Sequence, residues 1–359
     1  MKKKINLIKS GVVSGKEAKK IYNFAKKNKL AIPAINCINT DSINAVLETA
    51  SSMSSPVIIQ LSFFGAKFFT GNGIKKIKDK KKSILGSIAA AKYIHFIAKH
   101  YNIPVILNTD HCDKSLLNWV KTLIKEGKKF YKKNNFPLFT SHMIDLSKEK
   151  LKKNIKICKK YLKKMKKINM LLEIELGCTG GEEDGINNTN IKKKKLYTNP
   201  KDVNYAYKKL KKISKNFIIA ASFGNVHGVY KNGSIKLNTK ILKKSQKYVQ
   251  KKNNCKKNPL NFVFHGGSGS SIKDIKKSIK YGVVKFNIDT DIQWATWKGI
   301  LKFYKKNKFF LQKQIGNPEG LNKPNKKYYD PRNWIRLAQN SIKKNLKIFF
   351  KRLNSYNIL

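Results

Sequence analysis

The chain has 359 residues, 41% of them hydrophobic, which is enough for one large domain or two ordinary ones. No apolar run reaches the roughly 18 residues of a membrane span, and the basic first residues lack the apolar stretch and cleavage site of a secretory signal. The formal net charge is +58, from 78 Lys plus Arg against 20 Asp plus Glu.

Lysine supplies almost all of the positive charge, because the only arginines are Arg332, Arg336 and Arg352. Proteins that read nucleic acid usually rely on Arg for bidentate contacts, whereas here Lys is spread through nearly every helical segment. Asn, Ile, Phe and Tyr share A/T-rich codons with Lys, so we interpret the charge as mutational bias, which codon composition would test. A surface that binds polyanions is the alternative interpretation.

The cysteines are odd in number, scattered and without a CxxC pair: Cys37, Cys112, Cys158, Cys178 and Cys255. This pattern is typical of a reducing compartment and predicts neither a disulfide framework nor a zinc ribbon.

Eight short apolar runs alternate with longer helical patterns along the chain. The runs are Ala31–Cys37, Pro56–Ser62, Pro104–His111, Leu138–Asp145, Met170–Gly177, Phe217–Gly224, the beginning of Asn261–Ser271, and Val283–Asp289. Because the runs are almost continuously apolar, they predict strands of a parallel sheet that is covered by helices.

The count of eight strand-then-helix units predicts an α/β fold, a (β/α)8 (TIM) barrel with a C-terminal helical extension. No Gly-x-Gly-x-x-Gly follows the first strand, which counts against a dinucleotide-binding fold. No interdomain linker is evident. We therefore expect a single domain, with the barrel over about 31–306 and a tail and helix over about 307–359.

Polar side chains mark the predicted strand ends, which is where the chemistry of such barrels lies. Three of the six histidines, His111, His227 and His265, fall there. One such histidine is more often structural, but three converging ones suit a catalytic zinc with an open position. Of the others, His95 and His100 are predicted to lie on a helix surface, and His142 has no evident partner.

Two loops add to this signal. The loop CTGGEEDG places Glu182, Glu183 and Asp184 together between glycines. Alone it is typical of a solvated turn, but beside a metal it offers a carboxylate base on a mobile loop. The loop GGSGSS at 266–271 is by itself an ordinary flexible turn, yet its backbone N–H groups before a helix are suited to phosphate.

Taken together, seven motifs closely resemble the class II (zinc-dependent) fructose-1,6-bisphosphate aldolases of the longer bacterial and fungal subtype. In order from about Gly11 to the C-terminus they are TDHC, SHMIDLS, LEIELGCTGGEEDG, ASFGNVHGVY, NFVFHGGSGS, VVKFNIDTDIQWATW and PNKKYYDPR. The resemblance implies a cytoplasmic homodimer of glycolysis and gluconeogenesis. Its reaction is the reversible cleavage of fructose 1,6-bisphosphate to dihydroxyacetone phosphate and glyceraldehyde 3-phosphate.

The resemblance also implies a metal site. His111, His227 and His265 would hold a zinc ion that polarises the ketone and stabilises the enediolate. Asp145 and Glu175 match a second metal position, which Glu182 is a candidate to join. The sequence leaves open whether a second zinc is bound and whether a monovalent cation assists.

By the same resemblance, Glu183 would be the base that removes a proton from dihydroxyacetone phosphate, Asp110 would protonate the aldehyde oxygen, and Asn287 would hydrogen-bond the enediolate. The dihydroxyacetone phosphate site would be lined by Gly228, Gly266, Gly267, Ser268, Ile288, Asp289 and Thr290. Asn36 and Ser62 would contact the other half of the substrate. Arg332 would bind the far phosphate from the neighbouring subunit.

Two positions depart from the family pattern. Phe63-Phe64-Gly65 stands where the family usually has Asn-Gly-Gly, and Asn108 stands where the subtype commonly has His. Neither change removes a proposed ligand or base. Two rival functions are also compatible with the sequence: an aldolase for tagatose 1,6-bisphosphate and a polyanion-binding protein on an inactive barrel.

Overall fold

A closed barrel of parallel strands forms the centre of the computed structural model, which describes residues 4–5, 8–183, 186–188, 193–229 and 236–359. Within these residues the barrel has eight strands: β1 (Ile32–Asn36), β2 (Val57–Leu61), β3 (Pro104–Cys112), β4 (Ser141–Ile144), β5 (Leu171–Leu176), β6 (Phe217–Ala221), β7 (Phe262–Phe264) and β8 (Val283–Ile288). Each strand pairs with the next along the chain, and β8 pairs with β1, which closes the sheet. The predicted (β/α)8 barrel is confirmed, and each predicted run contains or overlaps its strand.

Helices surround the barrel. In the described part of the chain the α-helices are Gly15–Lys27, Thr40–Ser52, Phe63–Thr70, Asp79–Ile97, Leu117–Asn134, Leu151–Lys166, Pro200–Lys211, Lys240–Asn253, Ile272–Lys280, Thr290–Asn307, Lys326–Tyr329 and Pro331–Arg352. None of these helices is both long enough and apolar enough to cross a membrane.

The lysine-rich helices pack on the barrel because their lysines lie on one face only. In the helix Leu151–Lys166, residues such as Ile155, Leu162 and Met165 are buried, while the lysines between them stay at the surface. This amphipathic spacing lets a highly charged sequence cover an apolar sheet.

The N-terminal end of the barrel is closed by the helix Gly15–Lys27. Its Ile21 and Tyr22 pack inside the barrel with the inward residues of the strands, such as Ile32 and Ile106. Side chains alternate along a strand, and toward the opposite, C-terminal end the inward positions become polar, as at Gln60, whose amide contacts two other polar side chains. The fold thus gathers its buried polar groups at that end.

The structure also contains elements that the sequence did not predict. The glycine-containing sequence GAKFFTGNG at 65–73 is typical of a loop, but its first residues belong to the helix Phe63–Thr70, because Ser62 Oγ accepts a hydrogen bond from Gly65 N and caps it. The strands Gly180–Glu183, Ile186–Asn188 and Val226–His227 form a small second sheet, and Ile315–Asn317 pairs with Gly320–Pro324. The sequence Lys231-Asn232-Gly233 is typical of a small turn, and it lies outside the described residues.

The C-terminal helix Pro331–Arg352 packs against the helices Thr40–Ser52 and Thr290–Asn307. Asp330 caps its first turn by accepting a hydrogen bond from Arg332 N. Beyond it, Ile358 joins the apolar cluster inside the barrel. The end of the chain therefore contributes to the core as well as to the surface.

Candidate active site

Three histidines meet at the C-terminal end of the barrel. One nitrogen from each of His111, His227 and His265 lies within 4.8 Å of the others. The ring centroids of His111 and His265 are 4.7 Å apart, and those of His111 and His227 are 5.3 Å apart. The structure therefore brings together the three residues that the sequence singled out.

A bulge at the end of β3 makes this meeting possible. The pairing of β3 with β4 shifts between Thr109 and Cys112, and His111 has φ 42°. A positive φ is unfavourable for a residue with a side chain, but it lets the consecutive residues Asp110 and His111 both face the inside. In a regular strand they would point to opposite sides.

In two of the histidines, the ring nitrogen that faces away from the cluster lies beside a carboxylate. His111 Nδ1 lies 3.3 Å from Asp145 Oδ2, and His265 Nε2 lies 3.0 Å from Glu173 Oε1. A carboxylate accepts hydrogen bonds, so these two ring nitrogens carry the protons. The inner atoms, His111 Nε2 and His265 Nδ1, then face each other at 2.9 Å with lone pairs.

Two facing lone pairs repel unless a cation or an additional proton lies between them, which is the donor arrangement that a metal ion requires. A second observation agrees with this: the buried Glu175 Oε2 has no hydrogen-bond partner among the described residues. It lies 3.8 Å from His111 Nδ1, and His111, Asp145 and Glu175 form a second group of potential ligands. The residues present thus fit a metal ion.

The carboxylates of this second group differ in their pKa values. Burial raises the pKa of Asp145, but hydrogen bonds and attraction from His111, together with hydrogen bonds from Ser147, outweigh it and lower the pKa to about 2. Burial and the nearby charge of Asp145 raise the pKa of Glu175 well above its usual value. A bound cation would relieve this repulsion and favour the ionised form of Glu175.

Asp110 is fully buried and is held by amides. Its Oδ2 accepts a hydrogen bond from Gln60 Nε2 at 2.9 Å, and its Oδ1 lies 3.4 Å from Asn287 Nδ2. The same Gln60 amide donates to Asn36 Oδ1 at 2.5 Å. Sequence reasoning missed Gln60, although a lone polar residue in the apolar run PVIIQLS is a signal of an inward-facing polar position.

The glycine loop after β7 passes close to the strand that carries His227. At Gly266, with φ 57°, a Cβ atom would lie 2.6 Å from the backbone of Val226. At Gly267 it would lie 2.3 Å from the ring of Phe286. Only glycine fits at these two positions without a shift of the neighbours.

A cavity of about 870 Å³ opens beside this loop and is lined in part by Gly228, Gly267, Ser268 and Thr290. Ser268 Oγ donates to Asp291 Oδ2 at 2.6 Å, which fixes the loop to the helix after β8. The cavity gives this end of the barrel a space next to exposed backbone groups.

The remaining predicted site residues lie farther from the three histidines or have other partners. Ile288 is buried in the outer apolar cluster, so only its backbone can serve the site. Asp289 accepts a hydrogen bond from Gln293 at 3.1 Å, and the exposed Arg332 pairs with Asp330 at 2.7 Å. Glu182 is exposed, while the Glu183 side chain and Asp184 lie outside the described residues.

The two departures from the family pattern are accommodated. Phe63 is buried, with its ring centroid 5.6 Å from that of Trp119, whereas Phe64 is 47% exposed. Asn108 is buried, lies 3.4 Å from Gln60 Oε1, and accepts a hydrogen bond from Ser141 at 2.7 Å.

Two histidines outside the cluster have structural partners. The prediction that His95 is a surface residue is wrong, because its Nε2 lies 3.0 Å from Leu138 O and its ring contacts Phe130. His142, whose partner the sequence did not reveal, has Nδ1 2.8 Å from Thr109 Oγ1.

The sequence model of the class-II fructose-bisphosphate aldolases matches residues 16–358 of this chain. The chain belongs to this family of lyases. The family resemblance stated above is thereby confirmed, and with it the enzyme class.

Known proteins are similar to this chain over its whole length. It is 65% identical over 356 residues to "Fructose-bisphosphate aldolase class 2" of Buchnera aphidicola subsp. Schizaphis graminum, with 99% of each chain covered. It is 55% identical over 359 residues to the protein of the same name from Escherichia coli K12, covering 100% of both. The solved structure of fructose-bisphosphate aldolase from Campylobacter jejuni matches with TM-score 0.90 and 52% identity, covering 99% of both chains.

Proposed function

We propose that this enzyme cleaves fructose 1,6-bisphosphate reversibly to dihydroxyacetone phosphate and glyceraldehyde 3-phosphate, as a cytoplasmic enzyme of glycolysis and gluconeogenesis. The observation that carries the proposal is the convergence of three histidines and Asp110 beside a glycine-lined cavity. The family and the names of its relatives support fructose over tagatose bisphosphate.

His111, His227 and His265 would hold the catalytic zinc, through Nε2 of His111 and Nδ1 of His265, and Asp145, Glu175 and Glu182 are the candidates for a second zinc. Zinc bound there would supply a Lewis acid for the ketone carbonyl. No described lysine offers an alternative nucleophile at these strand ends, since Lys285 is buried and paired with Glu173 at 2.5 Å. A Schiff-base mechanism is therefore not favoured.

Asp110 is assigned the proton transfer at oxygen. In the cleavage direction its carboxylate accepts the proton of the C4 hydroxyl while the C3–C4 bond breaks and the aldehyde forms. In condensation the same proton returns to the aldehyde oxygen. Gln60 and Asn287 hold the carboxylate in place from two sides, and Asn287 can also donate to the negative charge that develops on the substrate oxygen.

Glu183 is assigned the proton transfer at carbon. It would protonate C3 of the dihydroxyacetone phosphate half after cleavage and remove the same proton in condensation. Its strand supports the assignment, because Gly181 is the parallel pairing partner of His227, and Glu183 follows two residues later. The backbone of the base is thus tied to a strand that carries a proposed zinc ligand.

The two phosphates would be bound at separate places. The backbone around Gly228, Gly266, Gly267 and Ser268, with 288–290 at the end of β8, is suited to one phosphate. Asn36 and Ser62 would contact the other half of the substrate. Arg332, with a side chain 89% exposed, would reach the second phosphate from the partner in a homodimer. A monovalent cation beside this phosphate-binding backbone is a further candidate cofactor.

The proposal is tested by comparing kcat/KM for cleavage of the fructose and tagatose bisphosphates by the purified enzyme. We expect a clear preference for the fructose compound and loss of cleavage in His111→Ala. A preference for tagatose bisphosphate would replace the substrate assignment. Full activity of His111→Ala would contradict the metal site.

A further inference from the structure

Glu173 is buried inside the barrel but has no part in the reaction proposed above. Its side chain is 1% exposed, as is that of Lys285. Its Oε1 lies 3.0 Å from His265 Nε2, and its Oε2 lies 2.5 Å from Lys285 Nζ. A buried charge is costly unless it is paired and hydrogen-bonded, and this pair meets both conditions.

The position of Glu173 determines which nitrogen of His265 is available. The ammonium of Lys285 keeps Glu173 an acceptor, so His265 Nε2 must donate. The lone pair is then on Nδ1, the atom 2.9 Å from His111 Nε2. Asn225 Nδ2 donates to His265 O at 2.8 Å and fixes the backbone of the same residue. A turn of the ring by 180° would break the bond to Glu173.

Lys285 has a second effect, because Glu173 is itself close enough to bind a metal. Oxygen atoms of Glu173 and Asp110 lie with a His265 nitrogen within 4.8 Å of one another. The ammonium of Lys285 occupies Glu173 Oε2, and its charge repels any other cation at that depth. A metal ion is thereby directed to the three histidines at the C-terminal end of the barrel.

We propose that the buried pair Glu173–Lys285 is a positioning device for His265. It holds the imidazole in the Nε2–H tautomer, with Nδ1 directed to the metal, and it keeps Glu173 out of the ligand set. Both are positioning residues, since Glu173 acts through His265 and Lys285 acts through Glu173. The inference rests on the zinc site proposed above.

The test uses two variants and one control. Glu173→Gln combined with Lys285→Met leaves no buried charge and nearly the same volume. Glu173→Asp keeps the charge pair but shortens the reach to His265. The control Glu48→Gln removes a carboxylate that pairs with Arg336 and Lys343 on the outside of the barrel.

Zinc affinity is measured by competition with a chelator of known affinity at constant pH. We expect the Kd to rise about 10–100-fold in the double variant, as is typical for loss of a partner that orients a ligand. A smaller rise is expected for Glu173→Asp, and none for Glu48→Gln. The ¹⁵N spectrum of the histidine rings in the metal-free enzyme should show His265 protonated on Nε2, and a tautomer mixture in the double variant.

The outcomes separate this inference from the proposed function. If the parent enzyme binds no zinc, the proposed function fails. If it binds zinc and the folded variants bind equally well, the positioning role is overturned. If the double variant does not fold, the zinc affinity of Glu173→Asp and the ¹⁵N spectrum of the parent enzyme test the positioning role instead. Protonation of His265 on Nδ1 in the parent enzyme overturns the inference.

Discussion

Replacing Gly266 by alanine should strain the loop that follows His265 and packs against the strand of His227. The added Cβ would lie 2.6 Å from both the carbonyl carbon and the oxygen of Val226 and 3.0 Å from His227 N. The φ of 57° costs a residue with a side chain about 1–2 kcal/mol, and overpacking a tight contact costs about 1–3 kcal/mol. The sum is about 2–5 kcal/mol.

The strain can be relieved only by moving the loop or the strand Val226–His227. If about 2 kcal/mol is released when His227 leaves its position, the Kd for zinc rises about 30-fold. Chelator competition measures this rise, and urea unfolding of the metal-free enzyme measures the remaining loss of stability. Gly73→Ala is the matched control, because a Cβ there has no atom within 4 Å. If zinc affinity and stability of Gly266→Ala equal those of this control, the loop accepts the added Cβ without strain and the prediction is wrong.

Three other predictions concern groups inside the barrel. Asp110→Asn should lower kcat by about 10²–10⁴-fold and leave the Kd for zinc nearly unchanged; a parallel loss of zinc would make Asp110 a ligand instead. Gln60→Met should lower kcat about tenfold with KM little changed, since Asp110 then loses about 1.4 kcal/mol of support from one hydrogen bond to a charged group; an unchanged kcat would contradict the orienting role. Burial lowers the pKa of His142 to about 3, so this residue is neutral in the folded chain but protonated below about pH 6.5 when unfolded. The unfolded state binds more protons there, and stability should fall as the pH decreases, by up to about 2 kcal/mol between pH 6.5 and 5. His142→Gln should flatten this part of the curve of unfolding free energy against pH in the metal-free enzyme, and an identical curve would contradict the assignment.

The barrel could be predicted from the sequence because its strands are buried on both sides. Runs such as Phe217–Gly224 and Pro56–Ser62 are almost continuously apolar and predict strands buried on both faces, and their order fixes the edge at which they end. The prediction that the three histidines lie close together follows from that strand order alone. The family resemblance added roles for the polar residues, and these roles remain proposals.

The local backbone geometry of the site could not be predicted from the sequence in the same way. The bulge that turns His111 inward depends on pairing between β3 and β4, which no pattern within β3 reveals. The helix after Ser62 depends on a cap and on packing of Phe63 against Trp119, more than fifty residues along the chain. The partners of Glu173 come from β8 and from the residue just after β7, so its importance shows only in three dimensions.

We expect cleavage of fructose 1,6-bisphosphate to depend on a metal ion held by His111, His227 and His265. The most direct measurement is the initial rate of cleavage after dialysis against a strong chelator, followed by stepwise return of zinc. We expect activity to disappear and to return in proportion to zinc bound at the three histidines. Full activity in the chelator, with no zinc in the protein, would contradict a metal-dependent reaction.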